Sequence, residues 1–569
     1  MTSHPTWADP GHAERYLVRV RAARERLLAE QADPRGEQQK VLADLLAHNA
    51  DTEFGRAHGF GSIRTMDEFR RAVPLQDFDA HAAHIERMAA GETNVLTADD
   101  PVVYFTSSGS TGAHKKIPVT RRFMRTTFFP FYYAAWAPLI EHFPDVMARP
   151  DAVLNLKHDP LAAPPRTEDG HPHVGASQVD FGTAFGEPLA AELGTAAPWA
   201  ELPVDVRPDD HLEKTYLRLR LAVQSDVRCV IGINPAMIAA LPHQLNLWWP
   251  RIVKEVHDGT LGGLPHGTPD PGRAAELSRL AEYFGTVRPA HVWPRMRALF
   301  CWTTGVASLY LPALREEFGA GVAALPAPVA ASEGPTGVPF DRHGSAGSLV
   351  LSACVYEFAD ADTDLTPDTP TLQPHELEEG HDYHVIFSHV GGFYRYAVGD
   401  VVRVVDRVNG VPRVEYAGRN RLSDRTGERL REAHVIRAVR TALDGAGLRL
   451  RNISCRVAAE NGQAARYTFA VAPHSTWDTT EATRFAVDVD AALSLQSADY
   501  ARARTGGKLA APETVLVEET AFQHDWHASV SGGIRPTQVK DRLFRQDPSQ
   551  WERLTAAGRP VRREQASRT

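Results

Sequence analysis

At 569 residues the chain is longer than one hydrophobic core usually organises, so at least two domains are expected. Hydrophobic residues make up 43% and charged residues 23%, with a formal net charge of -9; this ordinary globular balance gives no electrostatic reason for a nucleic-acid or anionic-membrane partner. Cys229, Cys301, Cys354 and Cys455 are far apart and form no CxxC pair, which argues against a disulfide scaffold or structural zinc and for reduced thiols.

The first ten residues lack a basic region followed by an apolar run, and no apolar stretch approaches the roughly 20 residues that span a bilayer, so a cytoplasmic location is expected. From Ala13 to about Ala32, Tyr16, Leu17, Val20, Ala23, Leu27 and Leu28 recur at helical spacing and predict an amphipathic packing helix. Val102 to Thr106 is a short β-prone run, a loop rich in Ser and Gly follows, and Arg121 to about Ile140 reads as a helix interrupted at Pro130: strand, loop, helix. Residues 158–210 read as an irregular excursion dense in Pro, Ala, Gly and Asp. Helical patterns dominate from Leu212 to Val256. Short apolar runs at Met296–Thr303, Ala323–Ala331, Ser348–Phe358 and Tyr383–His389 then alternate with helix and turn signals, as in α/β layers. Asn409-Gly410 between Val401–Val405 and Arg413–Tyr416 is a hairpin signal. Beyond Gly418 the text turns polar and Arg-rich, a hinge into a smaller domain holding a helix at Glu428–Leu443 and a strand at Tyr467–Val471; the end after about Pro548 is expected to fray.

Five stretches carry chemistry. In Thr106-Ser107-Ser108-Gly109-Ser110-Thr111-Gly112-Ala113-His114-Lys115-Lys116, small residues let backbone N–H groups turn toward an anion, hydroxyls add donors and lysines add charge, which suits a polyphosphate. The spacing is not a Walker A pattern, because His114 stands where a second Gly would be needed. Ser332-Glu333 follows an apolar run, which puts a carboxylate at a strand end, suited to Mg2+ on ATP phosphates. Asp400, after Gly399 and before a β-branched run, has the chemistry to accept from ribose hydroxyls. Gly418-Arg419-Asn420-Arg421 with Gly427 to Glu432, and Gly532 to Lys540, complete the set. Taken singly, each also fits a plain turn. The aromatic segment Phe128, Phe129, Phe131, Tyr132, Tyr133 and Trp136 suits either an apolar acid pocket or plain core, and the pairs His81/His84 and His171/His173 lack the carboxylate or Cys pattern of a zinc site.

In order and spacing the five stretches resemble the adenylate-forming superfamily and, in detail, the GH3 family of acyl-acid amido synthetases, in its bacterial type. The resemblance extends to Phe69–Pro74, Gly91–Thr97, Trp293-Pro294, Thr303-Thr304-Gly305, Tyr356-Glu357-Phe358, Phe393-Tyr394-Arg395-Tyr396 and the end at Gln538 and Lys540. It implies an α/β fold: a large N-terminal adenylate-forming domain, residues 1–417, with mixed sheets flanked by helices, and a smaller mobile α+β C-terminal domain, residues 418–569, hinged about 418–424, with the active site between them. It implies ATP and Mg2+ as cofactors, a small-molecule carboxylic acid and an amine nucleophile as substrates, and no nucleic-acid or membrane partner. The acid attacks the α-phosphate to give an acyl-adenylate, and the amine then attacks the acyl carbon and releases AMP. By residue, Ser107, Ser108, Gly109, Ser110, Thr111, Gly112, Lys115, Lys116, Thr303, Ser332, Arg395, Asp400 and Arg419 fall to the nucleotide, Glu333 to Mg2+, and Lys540 to charge developing at the α-phosphate; Phe128, Tyr132 and Trp136 are the acyl-pocket candidates. The chain departs from the family pattern at Val329–Ser332, where an aromatic residue usually opens the motif, and at Arg429, where many relatives carry Lys. Two alternatives stand beside amide formation: thioester formation with coenzyme A or a carrier, and a catalytically silent binding protein.

Overall fold

The computed structural model describes residues 11–561 apart from 109–113, 160, 162, 187–192, 195, 342, 421 and 460–462. Asn409 and Gly410 take φ of 52° and 81°, the left-handed pair that a two-residue hairpin turn demands. They join the strands Phe393–Val408 and Val411–Arg419 inside a seven-stranded sheet. Across that sheet the order is Val329–Ala330, Pro335–Val338, Gly347–Leu349, Val411–Arg419, Phe393–Val408, Asp382–His389 and Val355–Asp360. Asp382–His389 and Val355–Asp360 are buried along nearly their whole length, so both read as apolar runs and not as alternating patterns.

The described residues fall into two compact units, 1–201 with 325–417, and 202–324 with 418–569. The chain crosses between the units at 201/202, 324/325 and 417/418. Residues 202–324, which the sequence reading places in the large domain, lie in the second unit.

In the first unit the helix His12–Glu30 buries Tyr16, Val20 and Leu27, as its spacing predicts. The expected order of elements is corrected: the next described element after Val103–Ser108 is a second strand and not a helix, because His114–Val119 returns antiparallel to it from Ser108 opposite His114 to Val103 opposite Val119. The helix comes only afterwards, and in pieces. Arg121–Phe123 opens into a wide turn over Met124–Phe128, and a new helix starts at Phe129 with Pro130 in its first turn, where the missing N–H costs nothing. The 158–210 excursion is also more ordered than expected. His173–Val174 adds a parallel third strand beside Val103–Ser108, and the short helix Phe181–Phe185 packs on the aromatic segment.

In the second unit the helices His211–Ala222 and Pro235–Asp258 match the predicted helical stretch, but the buried strand Cys229–Ile231 separates them and pairs in parallel with Ala298–Cys301. A four-stranded sheet, Leu450–Ala458, Arg466–Pro473, Glu513–Leu516 and Arg559–Val561, carries the helices Glu432–Ala446 and Thr479–Gln496. Past Pro548 the described residues do not fray: Pro548–Thr555 is helical and buries Trp551 and Leu554 against Ala470, Val515 and Phe522, while residues 562–569 lie outside the described residues. Within this unit the helix Ala307–Phe318 meets the C-terminal residues through polar groups. Ser308 accepts from Arg440, Tyr310 donates to Asp541, and Glu316 and Glu317 pair with Arg449 and Arg451 at 2.8 and 3.0 Å.

Candidate functional site

The Ser/Gly stretch is flanked by two paired strands. Ser107 faces Lys115 and Thr106 faces Lys116 in the register, while Gly109, Ser110, Thr111 and Gly112 lie outside the described residues. The helix Phe78–Ala89 holds both lysines: Lys115 places its Nζ 4.5 Å from the centroid of the Phe78 ring, and Lys116 donates to Glu86 at 2.5 Å. Both residues stay partly exposed.

Glu333 sits in a tight turn between Val329–Ala330 and Pro335–Val338, closed by reciprocal backbone bonds between Ala331 and Gly334 at 3.0 and 3.2 Å. Ser332, beside it, is half-buried. A side chain at 334 would crowd Phe387, because an added Cβ would stand 3.2 Å from its ring. Glu333 is only 5% exposed, and its Oε1 accepts from the Tyr396 hydroxyl at 3.2 Å. His389 donates from Nε2 to the Glu333 carbonyl at 2.8 Å and accepts from the Gly391 N–H at Nδ1, so its tautomer is set by two bonds. Burial pushes its pKa down to about 3, against the raising effect of the Glu333 bond, and keeps the ring neutral. Neither Tyr396 nor His389 is singled out by the sequence. Their signal is position: both lie on the two central strands that face each other as Asp382–His389 and Phe393–Val408.

Asp400 belongs to a strand, not to the turn that its Gly-Asp dipeptide also fits. His384 pairs with Val401 and Ile386 with Ala397, so Val398, Gly399 and Asp400 oppose Val385 alone, and Gly399 takes φ of 82°. Such a bulge re-aims a side chain out of the regular alternation, and Asp400 is left half-buried.

Arg395, expected at the nucleotide, lies inside the first unit. It is 3% exposed, and its guanidinium is spent inside the unit: Nε and one Nη bond the two oxygens of Glu357 at 2.9 and 3.0 Å, and the remaining donors reach Val73, Arg70 and Thr371. In this structure Arg395 is thus part of a buried ion pair with Glu357. A φ of 44° at Arg395 turns the chain to make this pairing.

Phe128 is half-buried, with its ring centroid 5.6 Å from Tyr132, 5.4 Å from Phe181 and 6.3 Å from Phe105. Tyr132 and Trp136 are buried in the same aromatic cluster, 6.2 Å apart. Phe181, from the excursion, completes a wall that the sequence reading leaves out.

In the second unit Thr303 is buried directly after Trp302 at the end of Ala298–Cys301. The exposed Lys540 carries its ammonium 5.1 Å from the centroid of the Trp302 ring, so two distant candidates, Thr303 and Lys540, share one neighbourhood. Trp302 is a further residue that the sequence reading misses. Arg419 is exposed at the end of Val411–Arg419; burial raises the Glu432 carboxyl, and the Leu543 backbone bond and then the Arg419 charge draw it back in part.

Residues 23–322 match the GH3 family N-terminal domain, 347–419 the GH3 family central domain and 433–548 the GH3 family C-terminal domain. The chain is 26% identical over 449 residues to the probable indole-3-acetic acid-amido synthetase GH3.1 of Oryza sativa subsp. japonica, covering 71% of this chain and 70% of that one. It is 24% identical to the indole-3-acetic acid-amido synthetase GH3.15 of Arabidopsis thaliana, over 68% of each chain. The solved structure described as AtGH3.15 acyl acid amido synthetase in complex with 2,4-DB superposes with a TM-score of 0.77 at 19% identity, covering 96% of this chain and 98% of that one. These relatives are plant proteins and lend no support to the expected bacterial type. Spanned from residue 23 to 548 by three consecutive family domains, the chain belongs to the GH3 family.

Proposed function

We propose that the chain is an AMP-forming acyl-acid amido synthetase. A substrate carboxylate oxygen bonds to the α-phosphorus of ATP and the bond to pyrophosphate breaks; an amine nitrogen then bonds to the acyl carbon, AMP leaves and the amine gives up a proton. The observation that carries this reading is the succession of the three GH3 domains, with the Ser/Gly hairpin in the first, Asp400 in the second and Lys540 in the third.

On this reading the hairpin hydroxyls and backbone N–H groups grip phosphate, Asp400 accepts from the ribose, Thr303, Ser332 and Arg419 border the nucleotide, and Lys540 stabilises charge at the α-phosphate. Glu333 supplies the carboxylate for Mg2+, which when bound neutralises phosphate charge. One buried carboxylate fits, because a hard cation needs only one or two from the protein and takes its other oxygens from phosphate and water. Phe128, with its half-buried ring among Phe105, Tyr132 and Phe181, is the wall of a pocket for an apolar acid, in keeping with the aryl acid in the relatives' names. Residues 418–424 act as the hinge of a small domain, supported by the unit crossing at 417/418 and by the gap between the family's central and C-terminal domains. Four buried, unpaired thiols suit a reducing, cytoplasmic compartment.

The test is acid-dependent exchange of pyrophosphate into ATP across a panel of aryl, arylacetic and aliphatic acids, followed by product masses with amino acids and with coenzyme A. Exchange followed by an amide supports the reading. Absence of exchange with every acid refutes the activation step, and a coenzyme A thioester without any amide refutes the transfer step.

A further inference from the structure

We infer that Asp541 is a positioning residue for Lys540, acting with Tyr310 and Asn452 as a staple that fixes where the ammonium group stands; this rests on the role proposed for Lys540. The chain bends sharply just before the lysine. Val539 has φ of -82° and ψ of 81°, and the Lys540 N–H donates to the Gln538 carbonyl at 3.0 Å, a three-residue turn.

Such a turn on an exposed segment keeps its aim only if both flanks are tied. On the preceding side the Val539 carbonyl accepts from Asn234 Nδ2 at 2.7 Å, and its side chain packs against Ala236, Ala240, Trp526 and Val530. On the following side the tie is a side chain: one Asp541 oxygen accepts from the Tyr310 hydroxyl and the other from Asn452 Nδ2 at 3.2 Å. Tyr310 is 1% exposed and Asn452 7%, so the staple is rooted in two buried residues from elements far apart in sequence. Beyond it the Arg542 carbonyl accepts from Ser454 Oγ at 2.8 Å and the Leu543 carbonyl from the Cys455 N–H at 2.6 Å. Burial raises the Asp541 carboxyl, and its bonds with Tyr310 and Asn452 and the nearby Arg545 draw it back. A lysine on a flexible four-carbon stem loses rate steeply when its root shifts, since about 1 Å of misplacement costs on the order of 100-fold.

The experiment compares Asp541→Leu, Tyr310→Phe, the double variant, Asp541→Asn and Lys540→Ala in the full chain. It reads kcat and KM for ATP in acid-dependent pyrophosphate exchange, aminolysis of supplied acyl-adenylate, and thermal melting. Expected are a loss in exchange kcat of about 30- to 100-fold for Asp541→Leu and about 5- to 20-fold for Tyr310→Phe, with KM for ATP within about twofold and aminolysis retained. The double variant is expected to be no slower than Asp541→Leu, because the Tyr310 hydroxyl acts through Asp541, and Asp541→Asn, which keeps an acceptor for Asn452, is expected to recover most of the rate. The inference is overturned if Asp541→Leu exchanges at the wild-type rate while Lys540→Ala does not, or if exchange and aminolysis fall together with a lowered melting temperature. Unchanged exchange in Lys540→Ala instead overturns the role of the lysine, and the inference with it.

Discussion

At the scale of single residues, Glu333 and Arg395 are both buried charges, and their partners separate their roles. Glu333 accepts from a neutral group, the Tyr396 hydroxyl, and a carboxylate has two oxygens and several acceptor sites, so such a bond is compatible with holding a cation. Glu333→Gln is therefore expected to lower the exchange rate by about 100-fold and to raise the Mg2+ concentration needed for half-maximal rate, while Tyr396→Phe raises that concentration by about 10-fold. An unaltered Mg2+ titration in Glu333→Gln would remove the metal role. Arg395 is saturated by Glu357 and three further acceptors, so Arg395→Ala leaves the Glu357 charge partly stranded, with Arg70 at 3.0 Å and Thr371 as its remaining partners among the described residues. The expected cost is about 3–5 kcal/mol in urea denaturation. If Arg395→Lys instead raised KM for ATP without loss of stability, the nucleotide role would return. Sequence shows the chemistry of such residues but not their partners. Glu333 is legible because a carboxylate closes an apolar run, whereas Glu357 and Arg395 stand 38 residues apart and leave no mark on each other's neighbourhood.

Among elements, those with local chemistry are the ones the sequence makes readable. The Asn409-Gly410 turn, the Tyr16–Leu27 helix face and the apolar run at 383–389 each state their own conformation. His114–Val119 does not, because Lys115, Lys116 and Pro118 dilute the β-prone pattern and its pairing partner lies across the hairpin. Cys229–Ile231 is three residues between two long helices, too short for any period to register. The C-terminal helix is another such case, hidden by charged neighbours although Asp547 caps it by accepting from the Gln550 N–H at 3.0 Å. Trp551 is 8% exposed and packs in a cluster of six other buried residues. Trp551→Ala is expected to cost about 3–5 kcal/mol of unfolding free energy by urea titration. A change below about 0.5 kcal/mol would mean that the segment frays after all.

For the whole molecule, the least legible feature is which segments share a unit, because bonds such as those from Ser308, Tyr310, Glu316 and Glu317 to the C-terminal residues link positions more than a hundred apart. A second whole-chain property comes from the histidines. Burial pushes His81 down to about 4 and His389 to about 3, and His243, His291, His375, His474 and His527 are displaced in the same direction, chiefly by burial. Above about pH 6.5 the folded and unfolded forms of these groups are both neutral and contribute nothing to the difference. As pH falls below that value the unfolded chain takes up protons that the folded chain refuses, so folding stability declines until the folded pKa is reached. For each of His81 and His389 the slope approaches about 1.4 kcal/mol per pH unit, over a window from about 6.5 down to about 4 or 3. Glu30, Glu432 and Asp541, raised by burial, act in the opposite sense where the folded chain protonates first. Single variants isolate the histidine contribution from theirs. Urea denaturation at pH 7.5, 6.5, 5.5 and 4.5 is expected to show stability falling through the acid range in the wild type, with the decline shallower by up to about 1.4 kcal/mol per pH unit in His389→Gln and in His81→Gln. Parallel curves for wild type and both variants would mean that these rings take up protons in the folded chain as readily as in the unfolded one, and that neither is held neutral by its burial.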